Sequence, residues 1–246
     1  MSNESGTYEL MLKTAASLPM VKIDREKFLK RELIKYCTRE QVEEAIENNP
    51  AYADINIEII NKIARNCINY ETNKVSGISF AAGLPGGFGM FATVPADITQ
   101  YFGHIIRILQ KLIYLYGWEE LFDDEGNLDD ETASMLTLFI GVMFGVNGAA
   151  ATITKISASA AQKASKSIAA KALTKGTIYP IVKKIAQALG VKMTKATFAK
   201  GVSKTIPVIG GFMSGGLTYV SYKPMAIKLE KHLATLKWAN PNYYKK

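Results

Sequence analysis

The sequence predicts an all-α protein, on three observations. Apolar residues recur at three- and four-residue spacing, no alternating run is long enough for a sheet, and the uncharged stretches are punctuated by glycine and proline. The expected architecture is a multi-helix bundle with glycine- and proline-broken hydrophobic helices, and a membrane-inserting hairpin is one arrangement those stretches permit. A chain of 246 residues, 48% of them hydrophobic, can bury a sizeable core without cross-links. Cys37 and Cys67 stand apart with no CxxC spacing, and His104 and His232 are the only histidines, so no disulfide framework, metal or cofactor is expected.

Taken in order, Asp24 is placed to cap DREKFLKRELIKY, and Thr38 with Gln41 forms a capping box for TREQVEEAIENN, which Pro50 stops. The next helix is expected to open at Asp54. Ile55, Ile59, Ile60, Ile63, Cys67 and Ile68 form its apolar stripe, which makes Cys67 a core residue. Residues 1–74 read as an N-terminal amphipathic helical arm, 75–238 as the main helical domain, and 239–246 as a polar tail.

Val75 to Ala96 carries no charge for 22 residues but holds five glycines and two prolines, so a broken or re-entrant hairpin fits better than a straight span. Asp97 is read as the cap of ADITQYFGHIIRILQKLIYLYGW. Its Ile98, Tyr101, Phe102, Ile105, Leu109, Leu112 and Tyr116 share one face, Gln100, His104, Arg107 and Lys111 lie elsewhere, and Gly117 with Trp118 closes the helix. An acidic turn follows, with Asp129 or Asp130 capping the next helix.

The second uncharged run, Thr132 to Thr154, has 23 residues and contains LTLFIGVMFGV, the length and apolarity of a spanning helix; Gly141 and Gly145 would admit a neighbour closely. Beyond it, lysine-studded small-residue helices are expected, with Gly176, Pro180 and Gly190 as breaks. The third uncharged run, Thr205 to Tyr222, precedes a final helix, PMAIKLEKHLATLKW.

Charge is distributed unevenly. Residues 1–74 hold 11 Lys/Arg against 12 Asp/Glu, residues 75–131 hold 2 against 9, and residues 132–246 hold 17 against 1, all seventeen being lysine. Lysine is a hydrated point charge suited to a phosphate-rich surface, whereas base-edge and bidentate phosphate reading favour arginine. Lys155, Lys163, Lys166, Lys171, Lys175, Lys183 and Lys184 are therefore read as binding anionic lipid headgroups, and sequence-specific nucleic acid is not expected as a partner. A purely solubilising role for the same lysines is the plainer alternative. The start MSNESGTYEL has neither the basic nor the apolar part of a secretory signal, so a cytoplasmic, membrane-associated location is expected.

GLPGG at 83–87, PADITQYFGHIIRILQKLIYLYGW from Pro95 to Trp118, and IPVIGG at 206–211 together resemble the EcsC family of bacterial proteins. The resemblance extends over about Val75 to Trp238. Its residues here are Gly83, Leu84, Pro85, Gly86, Gly87, Pro95, Ala96, Asp97, Tyr114, Tyr116, Gly117, Pro207, Gly210 and Gly211, expected to serve helix packing and turns. The resemblance implies a helical protein whose activity is not established, tied by the family's name to an operon that also carries exporter components.

The sequence carries no familiar catalytic pattern. GFMSGG lacks the spacing of a nucleophile elbow, GLPGGFG lacks the GK[ST] ending of a phosphate loop, and the acidic turn does not fit an EF-hand register. Asp97, His104, Arg107 and Lys111 form a possible polar cluster on one helix. The reading is a non-enzymatic membrane-associated protein that binds anionic lipid, accessory to a transport or envelope process and with a membrane protein as possible partner. A soluble carrier or enzyme with an apolar pocket near Asp97 and His104, lined by Leu84, Phe88, Met90 and Phe91, is the alternative, and enzymatic activity stays open.

Overall fold

Local capping chemistry sets where the first helices start. In a computed structural model that describes residues 7–19, 21–77, 96–122, 128–159, 175–188 and 215–245, α1 (Thr7–Ala16) leads to α2 (Arg25–Leu33), where the Asp24 carboxylate accepts the Lys27 amide. Helix α3 (Arg39–Glu47) opens on the full capping box of Thr38 and Gln41. Helix α4 (Ile57–Gly77) begins three residues later than Asp54. Asp54 sits in the left-handed region (φ 53°), and the Asn56 side chain accepts the Glu58 amide at 2.8 Å, so Asn56 takes the capping role. The apolar stripe holds: Ile55, Ile60, Ile63, Cys67 and Ile68 are buried and Ile59 is partly so.

Helix α5 (Ala96–Leu115) is the axis of the molecule, touching α1, α2 and α4 from the N-terminal half and α6 (Asp130–Met143) and α9 (Gly215–Ala234) from the rest. Asp97 falls inside its first turn rather than at the cap; its side chain lies outside the described residues. Besides the expected apolar face, Ile106, Ile108, Gln110, Lys111, Ile113 and Tyr114 are buried, so this helix has no solvated side over its second half. It ends in a Schellman turn: Trp118 donates its amide to Ile113 and Gly117 to Tyr114, with Gly117 at φ 92°.

The run from Thr132 to Thr154 does not form one spanning helix. It divides into α6, capped by Asp129 on the Thr132 amide, and α7 (Asn147–Ser159). Gly145, at φ 76°, makes the break: its amide reaches Val142 and the Val146 amide reaches Gly141, a second Schellman turn that a residue with a Cβ adopts only at a cost. Gly141 meets its neighbours closely, because a Cβ there would lie 2.7 Å from Ile181 and 2.8 Å from Ala149. Among the described residues no helix is long and apolar enough to cross a membrane.

Neither Gly176 nor Pro180 interrupts α8 (Lys175–Ala188). Proline there forfeits a single bond to the Gly176 carbonyl near the helix start, while Ile181, Val182 and Ile185 anchor the helix on α6. Likewise α9 starts at Gly215, within the third uncharged run, and continues through Pro224, because its Tyr222, Ala226, Leu229 and Leu233 are buried among α4, α5 and α6. The expected hairpin at 75–96 and the stretch 205–214 fall almost wholly outside the described residues.

One core runs from Tyr8 to Ala239. The last residues form two short 3-10 turns, Lys237–Ala239 and Pro241–Tyr243, and pack back on the α3–α4 corner. There the Tyr244 hydroxyl accepts from Asn49 at 3.1 Å, and Lys245 pairs with Asp54 at 2.8 Å. Nine α-helices and no strand occur among the described residues.

Candidate functional site

Extending the α4 stripe by one turn past Cys67 and Ile68 brings Glu71 to an inward position, where it is fully buried. Facing it from α5 are His104, Arg107 and Lys111, whose three- and four-residue spacing stacks them on one side of that helix. Glu71 Oε1 accepts from Arg107 Nε at 3.0 Å and from Lys111 Nζ at 2.5 Å. Among the described residues Oε2 has no hydrogen-bond donor, and His104 Nδ1 stands 4.0 Å from it, too far for a hydrogen bond.

Burial alone would push the Glu71 carboxyl up. Lys111 and Arg107 together outweigh it and hold the group below the usual carboxylate range. His104 is lowered as well. Burial lowers it to about 4, an effect that Glu71 opposes and that Lys74 and Arg107 reinforce, so the imidazole is neutral at pH 7 and its contact with Glu71 is not an ion pair. The cluster therefore sets two cations against one carboxylate.

Around it, Lys111 Nζ lies 5.4 Å from the Tyr70 ring centre and 6.0 Å from that of Phe28. From α9, the Tyr222 hydroxyl donates to the His104 carbonyl at 3.0 Å, and the Tyr101 hydroxyl meets Met225 Sδ at 3.7 Å. On the same α4–α9 seam, Arg65 pairs with the buried Glu230 at 2.8 Å. These are bonds among neighbouring helices, and they bind α4, α5 and α9 into one unit. Among the described residues no three His, Cys, Asp or Glu side chains gather as metal ligands.

The polar cluster predicted on α5 is thus partly assembled: His104, Arg107 and Lys111 converge, and the side chain of Asp97 lies outside what is described. The face that carries them is buried, because Glu71 from α4 closes over it. Sequence reading missed Glu71, although its place on the apolar stripe was a usable signal. It also missed Gln110, whose amide donates to the Val21 and Ile106 carbonyls and whose Oε1 accepts the Ile23 amide, fixing the α1–α2 linker to α5.

No protein-family model, curated protein or solved structure matches the chain. Of the residues that carry the EcsC resemblance, Tyr114 and Tyr116 are buried at the end of α5, the Tyr116 hydroxyl donating to Asn61 at 2.8 Å, and Gly117 forms the turn already described. Gly83, Leu84, Pro85, Gly86, Gly87, Pro95, Pro207, Gly210 and Gly211 lie outside the described residues, as do Phe88, Met90 and Phe91 of the expected apolar pocket.

Of the predicted headgroup lysines, Lys155 on α7 and Lys183 and Lys184 on α8 are exposed. Lys175 is the first residue of α8, with its side chain outside the described set, and Lys163, Lys166 and Lys171 fall outside it altogether. Helix α9 adds Lys228 and Lys231, both exposed. The only carboxylate on α7, α8 and α9 is Glu230, buried and already held by Arg65.

Proposed function

We propose that this EcsC-like chain is a peripheral membrane protein that binds anionic lipid surfaces through the lysines of its C-terminal helices, at the cytoplasmic face, as an accessory to a transport or envelope process. The observation that carries this reading is the fate of Glu230. With that carboxylate buried and paired to Arg65, no acidic side chain on α8 or α9 offsets the exposed Lys183, Lys184, Lys228 and Lys231. Juxtamembrane lysines contribute about 1 kcal/mol each near an anionic leaflet, so a handful is enough for reversible docking. Peripheral attachment also agrees with the break at Gly145, which divides the most apolar run into two short helices.

Co-sedimentation with phosphatidylserine-containing vesicles tests the reading. Binding should be strong in dilute buffer, fall steeply as salt rises, and be absent with purely phosphatidylcholine vesicles. Protein that stays in the supernatant with the acidic vesicles at low ionic strength would overturn it.

A further inference from the structure

We infer that the molecule docks end-on, with the C-terminal end of α6 toward the bilayer, and that the outer face of α8 together with Lys228 of α9 is the surface that meets the phosphate-bearing headgroups. This rests on the membrane reading above and adds an orientation and an address to it.

Helix α6 has an acidic and a basic end. Its N-terminus presents the exposed carboxylates Asp129, Asp130 and Glu131. At the other end Lys228 Nζ lies over the turn, 3.0 Å from where a Cβ on Gly145 would be, countering the partial negative charge of the helix terminus. The α8 backbone is seated at that same end, since Ile181 packs directly onto Gly141. Lys183 and Lys184 follow Ile181 within one turn.

The faces of α8 divide cleanly. Ile181, Val182 and Ile185 are buried, with Ile178 half-buried beside them, and α6 is the principal helix they pack on. On the opposite side Tyr179 with Lys183 and Pro180 with Lys184 form two four-residue pairs, Pro180, Lys183 and Lys184 being exposed. Tyrosine beside lysine is the composition of a helix face lying at headgroup depth. Compact ammonium groups on a rigid helix suit a sheet of phosphates better than a single chelated anion, which calls for arginine forks.

Distance decides whether the acidic end spoils this. At 1.5 Å per residue the 14 residues of α6 separate its two ends by about 21 Å. That is more than twice the ~8 Å Debye length at physiological ionic strength, so the far carboxylates barely weaken the lysines when the basic end approaches, and they repel the membrane when the other end does.

The test compares the whole protein with two charge-reversal variants, K183E/K184E/K228E at the proposed surface and K30E/K62E on α2 and α4. Each lysine at an anionic leaflet is worth roughly fivefold in partitioning. The first variant should therefore lose at least about tenfold in binding to phosphatidylserine vesicles, while the second stays within about twofold of the parent. Equal losses in both would mean diffuse attraction and overturn the orientation, as would parent-like binding by the first variant. If the parent itself fails to bind, the membrane reading falls, and the inference falls with it.

Because charge reversal can disturb folding, lysine acetylation of the unaltered protein gives a second readout. Vesicles should shield Lys183, Lys184 and Lys228 and leave Lys30 and Lys62 reactive. Shielding of the same lysines by duplex DNA but not by vesicles at equal phosphate would transfer the surface to nucleic acid and overturn the lipid assignment.

Discussion

Glu71 takes two cations on a single carboxylate oxygen inside the helix bundle. Removing it as Glu71→Ala strands Lys111, only 5% exposed, without a counter-charge, and should cost about 3–5 kcal/mol by denaturant titration. His104 gives a pH signature. Its folded-state value is depressed to about 4 from an ordinary 6.5, so the unfolded chain takes up the proton first as pH falls. The stability it contributes is full above pH 6.5 and is lost progressively down to pH 4, with a slope approaching ~1.4 kcal/mol per unit. His104→Gln should flatten that slope in urea titrations across the window. His232, also lowered by burial, leaves a residual slope of the same sign. The α5 half of this cluster was readable from its spacing. Its burial was not, since a helical period says which residues share a face and not which distant carboxylate will cover it.

Single side chains also decide how helices join. Arg25 donates to the carbonyls of Ala45, Ile46 and Asn48 at the end of α3 and to that of Trp118 beyond α5, so one guanidinium terminates one helix and ties it to another. Arg25→Ala should lower stability by about 2–4 kcal/mol, and Arg25→Lys should restore little of it, because one ammonium cannot span four acceptors. At Gly141 an added methyl meets Ile181 and Ala149 below 3 Å, so Gly141→Ala should cost about 1–3 kcal/mol in thermal or chemical denaturation. Helix starts were legible at Asp24 and Thr38, and to within one residue at Asp129 or Asp130, because capping is local chemistry. The ends of the hydrophobic helices were less so. Counting uncharged residues from Thr132 to Thr154 measured apolarity and overlooked that Gly145 could turn the chain, while Gly176 and Pro180 looked like breaks and Pro224 like a helix start, although both helices run through their prolines.

Across the whole molecule the core draws on every described helix, from Tyr8 in α1 to Ala239 beyond α9, and the Glu71 and Glu230 pairs fasten α4 to α5 and α9. Such a core should unfold in one step: thermal melts followed by backbone and by aromatic circular dichroism should superimpose. Charge acts at this scale too, since the exposed Asp129, Asp130 and Glu131 stand at one end of α6 and Lys228 at the other. Trp118, at the close of α5, and Trp238, in the turn after α9, meet edge to face with ring centres 4.8 Å apart. Two indoles that near share their electronic transitions, so the pair is a native optical gauge whose split dichroic band disappears once the C-terminal segment peels away, reporting that detachment without any attached dye.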